Sequence, residues 1–211
     1  MEIIKYVLGP LGTNTYLLIE GKDVLLVDPA SKAEKLASLL NEYNLLGILL
    51  THGHFDHIKA VNGLYNEYKC PVYLHHDDEE LARDKYSGSD FGLASYISVP
   101  TIHIKEGINQ IGPFNFEVIY TPGHTEGSVI YVFPEDIFTG DTLFRCGVGR
   151  TDLKGGNERK LRESLRTFTN FTKDYRIHPG HDEESILSYE LNYNPYLRWH
   201  KLNLSNESRQ V

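Results

Sequence analysis

Ile48-Leu49-Leu50-Thr51-His52-Gly53-His54-Phe55-Asp56-His57 is the stretch on which the reading of the chain turns. It opens as a short, wholly apolar run, the pattern of a strand covered on both faces. It closes on three histidines and an aspartate. The same event recurs downstream: FEVIYTPGH ends at His124, DIFTGD at Asp141 and YRIHPGH at His181. Each time an apolar run stops in a Thr, Gly or Pro turn that delivers a metal-binding side chain. Strand ends let a sheet protein aim several segments at one point from a rigid scaffold. In an extended loop residues i and i+2 point the same way, so His52 and His54 can grip one ion. Asp56 and His57 fall at the start of a helix and face a neighbouring point. Five imidazoles and two carboxylates with no thiolate suit Zn²⁺, and also Fe or Mn. Seven ligands exceed one tetrahedral ion but suit two divalent ions that share a group, and Asp141, with two oxygens, is the natural bridge. Alone, His124, Asp141 or His181 would carry little weight, and Asp56 could be a helix N-cap. In this order and together, the seven point to a metal site.

The 211 residues carry a net charge of −8, with 40% hydrophobic and 24% charged positions. That is the size of a single domain, 1–211, able to bury a core. The acidic balance argues against nucleic acid or an anionic membrane as partner. Two cysteines, Cys70 and Cys146, make no disulfide framework. The start is broken by Pro10 and Gly12 and fails as a signal peptide, and no apolar run approaches the ~20 residues of a membrane span. The expectation is a soluble, cytoplasmic protein.

EIIKYV, TYLLIE and DVLLVD read as a strand meander. A helix from Ser31 through KAEKLASLLNEYN follows, then the strand LLGILL, a helix over DHIKAVNGLYNEYK, the strand PVYLH and a short helix over DDEELARDK. Tyr86 to Ser98 reads as a surface loop and possible substrate wall. IHIK, FNFEVIY, SVIYVF and DIFTG return to strand. GNERKLRESLRTF is helical, DYRIH a strand, SILSYELN and PYLRWHK helical. The order predicts an α/β fold in which two similar halves pack as helix, sheet, sheet, helix. His75-His76 beside Asp77-Asp78 offers donors to a stray metal but reads first as a solvated helix start, and Cys146 as a small buried hydrophobe. His103, His178 and His200 receive no role.

THGHFDH, TPGHTEGS, TGDTLF and PGH, in that order from Thr51 to His181, resemble the motifs of the metallo-β-lactamase superfamily, and within it the glyoxalase II-like hydrolases. The resemblance implies an αβ/βα four-layer sandwich, two mixed sheets flanked by helices, with metals at the sheet edges. It implies one metal held by His52, His54 and His124, the other by Asp56, His57 and His181, and Asp141 between them. Asp141 stands where many lactam-hydrolysing relatives have cysteine or no acidic bridge, which argues against antibiotic hydrolysis. His54 stands where flavodiiron proteins carry glutamate, and there is no room for the inserted domain of the RNA-processing members. About thirty residues after His181 are too few for the helical domain with which glyoxalase II binds glutathione. The Gly-Lys-x-Tyr substrate loop becomes Gly149-Arg150-Thr151-Asp152, in a context similar to short bacterial glyoxalase II-like proteins. Arg150 either binds a substrate carboxylate or pairs with Asp152. Glu190 and Asn194-Pro195-Tyr196 read as structural.

Two divalent ions against two aspartates and a hydroxide leave about one positive charge, enough to attract an anionic acyl group. The resemblance thus implies hydrolysis of a small acyl thioester, such as S-lactoylglutathione, or a related ester, by a hydroxide bridging the ions and oriented by Asp56. A persulfide dioxygenase with a single iron on His52 or His54, His124 and Asp141 is the alternative, since a similar GRTD occurs there. A non-catalytic module stabilised by metal is the remaining one.

Overall fold

The computed structural model describes residues 1–198. The strands are β1 (Glu2–Leu8), β2 (Thr13–Glu20), β3 (Asp23–Val27), β4 (Asn44–Leu49), β5 (Val72–Leu74), β6 (Ile102–His103), β7 (Gly107–Ile111), β8 (Phe114–Tyr120), β9 (Val129–Val132), β10 (Asp136–Gly140), β11 (Arg176–Pro179) and β12 (Ser185–Ile186). The helices are α1 (Ala33–Leu40), α2 (Phe55–Ile58), α3 (Val61–Tyr68), α4 (Glu79–Arg83), α5 (Glu158–Ser164), α6 (Arg166–Asn170) and α7 (Leu187–Tyr193). One six-stranded sheet has the order β1-β2-β3-β4-β5-β6, the other β12-β11-β10-β9-β8-β7. Both mix parallel and antiparallel pairs: β3, β4, β5 and β6 run parallel, as do β10 and β11.

The apolar runs are continuous because both faces of each sheet are covered. Leu17, Leu26 and Ile48 face the layer containing Leu36 and Leu40 of α1 and Val61 and Leu64 of α3. Their neighbours Leu18, Leu25 and Leu49 face the other way, onto Phe116, Val118, Tyr131 and Phe138 of the second sheet. Ile137 and Ile177 turn outward onto Phe168 and Leu187. These three apolar layers hold four layers of secondary structure together, as the four-layer αβ/βα sandwich requires. Each fully buried leucine contributes about 1.5–3 kcal/mol.

The elements differ from expectation at several points. The helix over 56–69 is two helices, because the Ala60 N–H leaves the helical ladder to donate to the Pro29 carbonyl at 2.9 Å. The helix after Ser31 starts only at Ala33, following Lys32 in the left-handed region with no side-chain cap. The helix over 156–168 starts at an Asn157 cap and divides at Leu165. The 86–98 loop contains a single 3-10 turn, Ser89–Phe91. β7, an edge strand of alternating half-buried and exposed residues, was not anticipated, and SILSYELN begins as β12 before α7. Residues 195–198 are helical, while the rest of PYLRWHK, with His200, lies outside the described residues. Among the described residues no helix is long and apolar enough to cross a membrane.

Candidate metal centre

The loops after β4, β8, β10 and β11 leave the same edge of the sandwich, and they bring the seven predicted residues together. His52, His54 and His124 offer ligand atoms within 4.8 Å of one another, and so do Asp56, His57 and His181. Asp141 spans the two groups: Oδ1 lies 3.4 Å from His57 Nε2, and Oδ2 lies 3.3 Å from His124 Nε2 and 3.5 Å from His181 Nε2. His181 Nε2 is 3.2 Å from Asp56 Oδ2 and 3.4 Å from His57 Nε2. Donor atoms about 2.0–2.2 Å from a tetrahedral ion stand about 3.3–3.6 Å apart, and the spacings among Asp56, His57, His181 and Asp141 are of that size, whereas His54 Nδ1 and His124 Nε2 stand closer, at 2.8 Å, in a hydrogen bond between the rings. His52 Nε2, His54 Nε2 and Asp141 Oδ1 are buried without a hydrogen-bond partner among the described residues. Orphaned buried polar atoms are costly, and here they belong to a His/Asp metal-binding cluster. A Cβ at Gly180 would lie 2.2 Å from Asp141 Oδ1, so only glycine lets the β11 loop close over this carboxylate.

Behind the histidines lies a layer that sequence reading missed. Asp28, at the end of β3, accepts from Thr51 N at 2.8 Å, Thr51 Oγ1 at 2.6 Å and His57 Nδ1 at 2.9 Å. Thr51 has one hydroxyl proton and gives it to Asp28, so the contact at 3.0 Å to His52 Nδ1 is a bond donated by the imidazole. One carboxylate thereby holds the Nδ1 side of His52 and of His57 and turns both Nε2 atoms toward the cluster. Asp28 adopts φ 47°, a conformation held at a cost of order 1 kcal/mol. Its only sequence signal was an acid at the end of a strand. Thr13 Oγ1 donates to Asp56 Oδ2 at 2.8 Å, and Asn14 donates to the Pro179 and Asp182 carbonyls, tying β2 to the His181 loop. Asp56 itself sits in the first turn of α2 and does not cap it.

The two groups have opposite proton affinities. Burial and the neighbouring imidazoles hold His52 well below the usual histidine range. Burial, with His124 alongside, brings His54 to about 3, and burial brings His124 to about 4 despite its bond to the Arg150 carbonyl. Burial acts equally on His57, but Asp56, Asp141 and Asp28 overrule it and push the imidazole up to about 10. His181 is raised against burial by its bond to Asp56 and by Asp141. Burial works against ionisation of Asp56, yet His57 and His181 hold it below the usual carboxylate range.

Arg150 enters through its backbone: its carbonyl accepts from His124 Nδ1 at 2.7 Å, which directs His124 Nε2 at the cluster. Its guanidinium is exposed and makes a two-bond pair with Asp152 at 2.7 and 2.8 Å. His178, without a role in the sequence reading, lies between Asp136 (2.8 Å) and Glu184 (2.6 Å) on the strand that leads to His181. Two expectations are corrected. Cys146 is exposed, in the left-handed region, because its N–H is drawn to buried Glu190 at 2.8 Å. Asp78 is not at a solvated helix start but buried, because neighbouring loops supply it with donors. His75, His76 and Asp77 form a further group of close ligand atoms, two of its members exposed. Glu190 and Asn194, bonded to each other at 2.9 Å, are buried and structural as expected.

A family model described as the metallo-beta-lactamase superfamily matches residues 8–181. The "Probable metallo-hydrolase YqgX" of Bacillus subtilis is 38% identical, over 90% of this chain and 94% of its own. "Hydroxyacylglutathione hydrolase GloC" of Haemophilus influenzae is 31% identical, over 83% and 88%. Among solved structures, BLEG-1, titled a B3 metallo-beta-lactamase, matches with TM-score 0.87 and 35% identity, over 93% of this chain and 99% of that one. TTHA1623, crystallised in a di-iron-bound form, matches with TM-score 0.84 and 38% identity, over 92% and 100%.

Proposed function

Because the chain belongs to the metallo-beta-lactamase superfamily, we propose that it is a binuclear metal-dependent hydrolase that cleaves a small acyl thioester of the S-lactoylglutathione kind, or a related ester. The observation that carries this reading is the division of seven ligands into two groups of three joined by Asp141. His52, His54 and His124 would hold one ion, Asp56, His57 and His181 the other. Zinc fits this donor set, and iron or manganese would be accepted by the same atoms. Two such ions supply Lewis acidity toward the acyl carbonyl and a water acidic enough to attack near neutral pH.

The chain's own residues do the rest. Asp56, anchored by Thr13, accepts a hydrogen bond from the attacking water and orients it. The Asp28–Thr51–His52 and Asp28–His57 bonds hold a proton on Nδ1 of each ring and turn Nε2 toward the ion, which would displace any proton there. Arg150 exchanges Asp152 for a carboxylate of an anionic substrate, a swap open to an exposed pair. GloC, a hydroxyacylglutathione hydrolase by name, supports the thioester. BLEG-1 makes a β-lactam the control substrate.

The test is elemental analysis joined to a panel of thioesters, esters, a β-lactam and a persulfide, with oxygen uptake recorded. Two ions per chain and thioester cleavage that disappears on chelation are expected. Oxygen consumption with persulfide and one iron per chain would replace this reading by a dioxygenase, and unchanged turnover after chelation would refute it.

A further inference from the structure

Asp78 stands outside the ligand set, in the 3-10 turn His76–Asp78 that follows β5, and is 1% exposed. Three neutral donors converge on its carboxylate. Oδ2 accepts from Gly53 N and from Thr125 Oγ1, both at 2.7 Å, and Oδ1 accepts from Gly127 N at 2.6 Å. The origin of these donors matters. Gly53 lies between His52 and His54, on the loop from the first sheet, while Thr125 follows His124 and Gly127 comes two residues later, on the loop from the second sheet. One side chain therefore ties together the two loops that carry all three histidines of one group. The packing is close: a Cβ on Gly127 would fall 2.8 Å from the Asp78 side chain, and one on Gly53 would fall 3.0 Å from its carbonyl.

The carboxylate form is chemically specific. Two backbone N–H groups and a hydroxyl need acceptors on both oxygens. Asparagine would set an NH₂ against one backbone N–H, replacing a bond by a contact between donors, and alanine would leave two buried N–H groups unpaired. Asp56, His57 and His181 are braced by other residues, Thr13, Asp28 and Asn14. The two loops also keep bonds that do not involve Asp78, from Val129 N to the Thr51 carbonyl and from Thr125 N to Ser128 Oγ.

We propose that Asp78 is a positioning residue for the three-histidine pocket, setting its ion affinity separately from that of the Asp56–His57–His181 pocket. This rests on the reading that both groups bind ions. The experiment titrates zinc into the full chain against a chromophoric chelator, assigns occupancy to each pocket by anomalous scattering, and follows folding by circular dichroism. Asp78→Asn should weaken zinc at the three-histidine pocket about 10–100-fold, as losses of such outer partners do, and leave the other pocket within about twofold. Thr125→Val, which spares both backbone bonds, should weaken the same pocket by less, and Thr125→Ser should restore it. Equal affinities in wild type and D78N, or parallel losses at both pockets, overturn the assignment. Should D78N not fold, a T125V chain with unchanged three-histidine affinity overturns it equally. A wild-type chain without zinc at Asp56–His57–His181 would sink the binuclear reading, while the fate of Asp78 would still be decided at the three-histidine pocket.

Discussion

The three-histidine pocket and the Asp56–His57–His181 pocket share a wall, Asp141, and a residue type, yet they treat a proton in opposite ways. His54 and His124 are held at about 3 and about 4, and His57 is pushed up to about 10. Burial is common to all three. The difference is the company: imidazoles crowd the first pocket, and three carboxylates surround His57. Their supports differ in the same sense. Asp78 braces the first pocket with bonds from neutral donors, whereas β11, which leads to His181, is braced by ionic bonds of Asp136 with Arg176 and His178 and of His178 with Glu184. A ligand set legible as one cluster is thus two environments, one crowded by imidazoles and one by carboxylates.

The largest effect is expected at the shared wall. Asp141→Ala removes oxygens from both pockets, so ion content should fall at both and kcat/KM for the cleaved thioester should drop by about 10³-fold or more. Next comes the contribution of the ions to folding. Chelation should lower unfolding free energy by ~3 kcal/mol for each ion present at a hundred times its Kd, or about 6–12 °C in Tm for a chain of this size, read by calorimetry with and without chelator. Asp28→Asn tests whether the pockets are independent at all, because Asp28 holds His57 directly and His52 through Thr51. Affinity at both pockets should fall about 10–100-fold, and an effect confined to one would break the relay.

A smaller effect sharpens the contrast between supports. Burial opposes ionisation of Asp136, but His178 and Arg176 hold it at about 2; the His178 bond lowers Glu184; and the two carboxylates raise His178 against burial. Carboxylates depressed in the fold contribute stability above the ordinary range near 4 and lose it as pH falls through their folded values. A raised histidine contributes fully below about 6.5 and loses this as pH rises through its folded value. The brace is therefore strongest between about pH 4 and 6.5. His178→Gln should cost ~1–2 kcal/mol in urea unfolding at pH 5.5 and less at pH 9. The least effect expected is that of Arg150→Ala, a rise in KM of severalfold for an anionic thioester with kcat kept, because the backbone carbonyl that orients His124 remains.

Much of this protein is legible without coordinates. Apolar runs such as LLGILL and DIFTG mark strands covered on both faces, and the Thr, Gly and Pro turns that end them name all seven candidate ligands, which the fold brings together. Period and turn chemistry are local, so they survive in the sequence. Helix limits were less legible, since the break at Ala60 depends on the Pro29 carbonyl thirty-one positions earlier. What the chain alone determined is the order of ligands and the layers that bring strand ends to one edge. The folded molecule decided which side chains surround each histidine, that Asp28 and Asp78 stand behind them, that the Arg150 carbonyl takes a bond from His124, and that Cys146 faces solvent. Those outcomes depend on hydrogen bonds between segments 23 to 49 positions apart, and neither spacing nor hydropathy records which distant donors a buried carboxylate will meet.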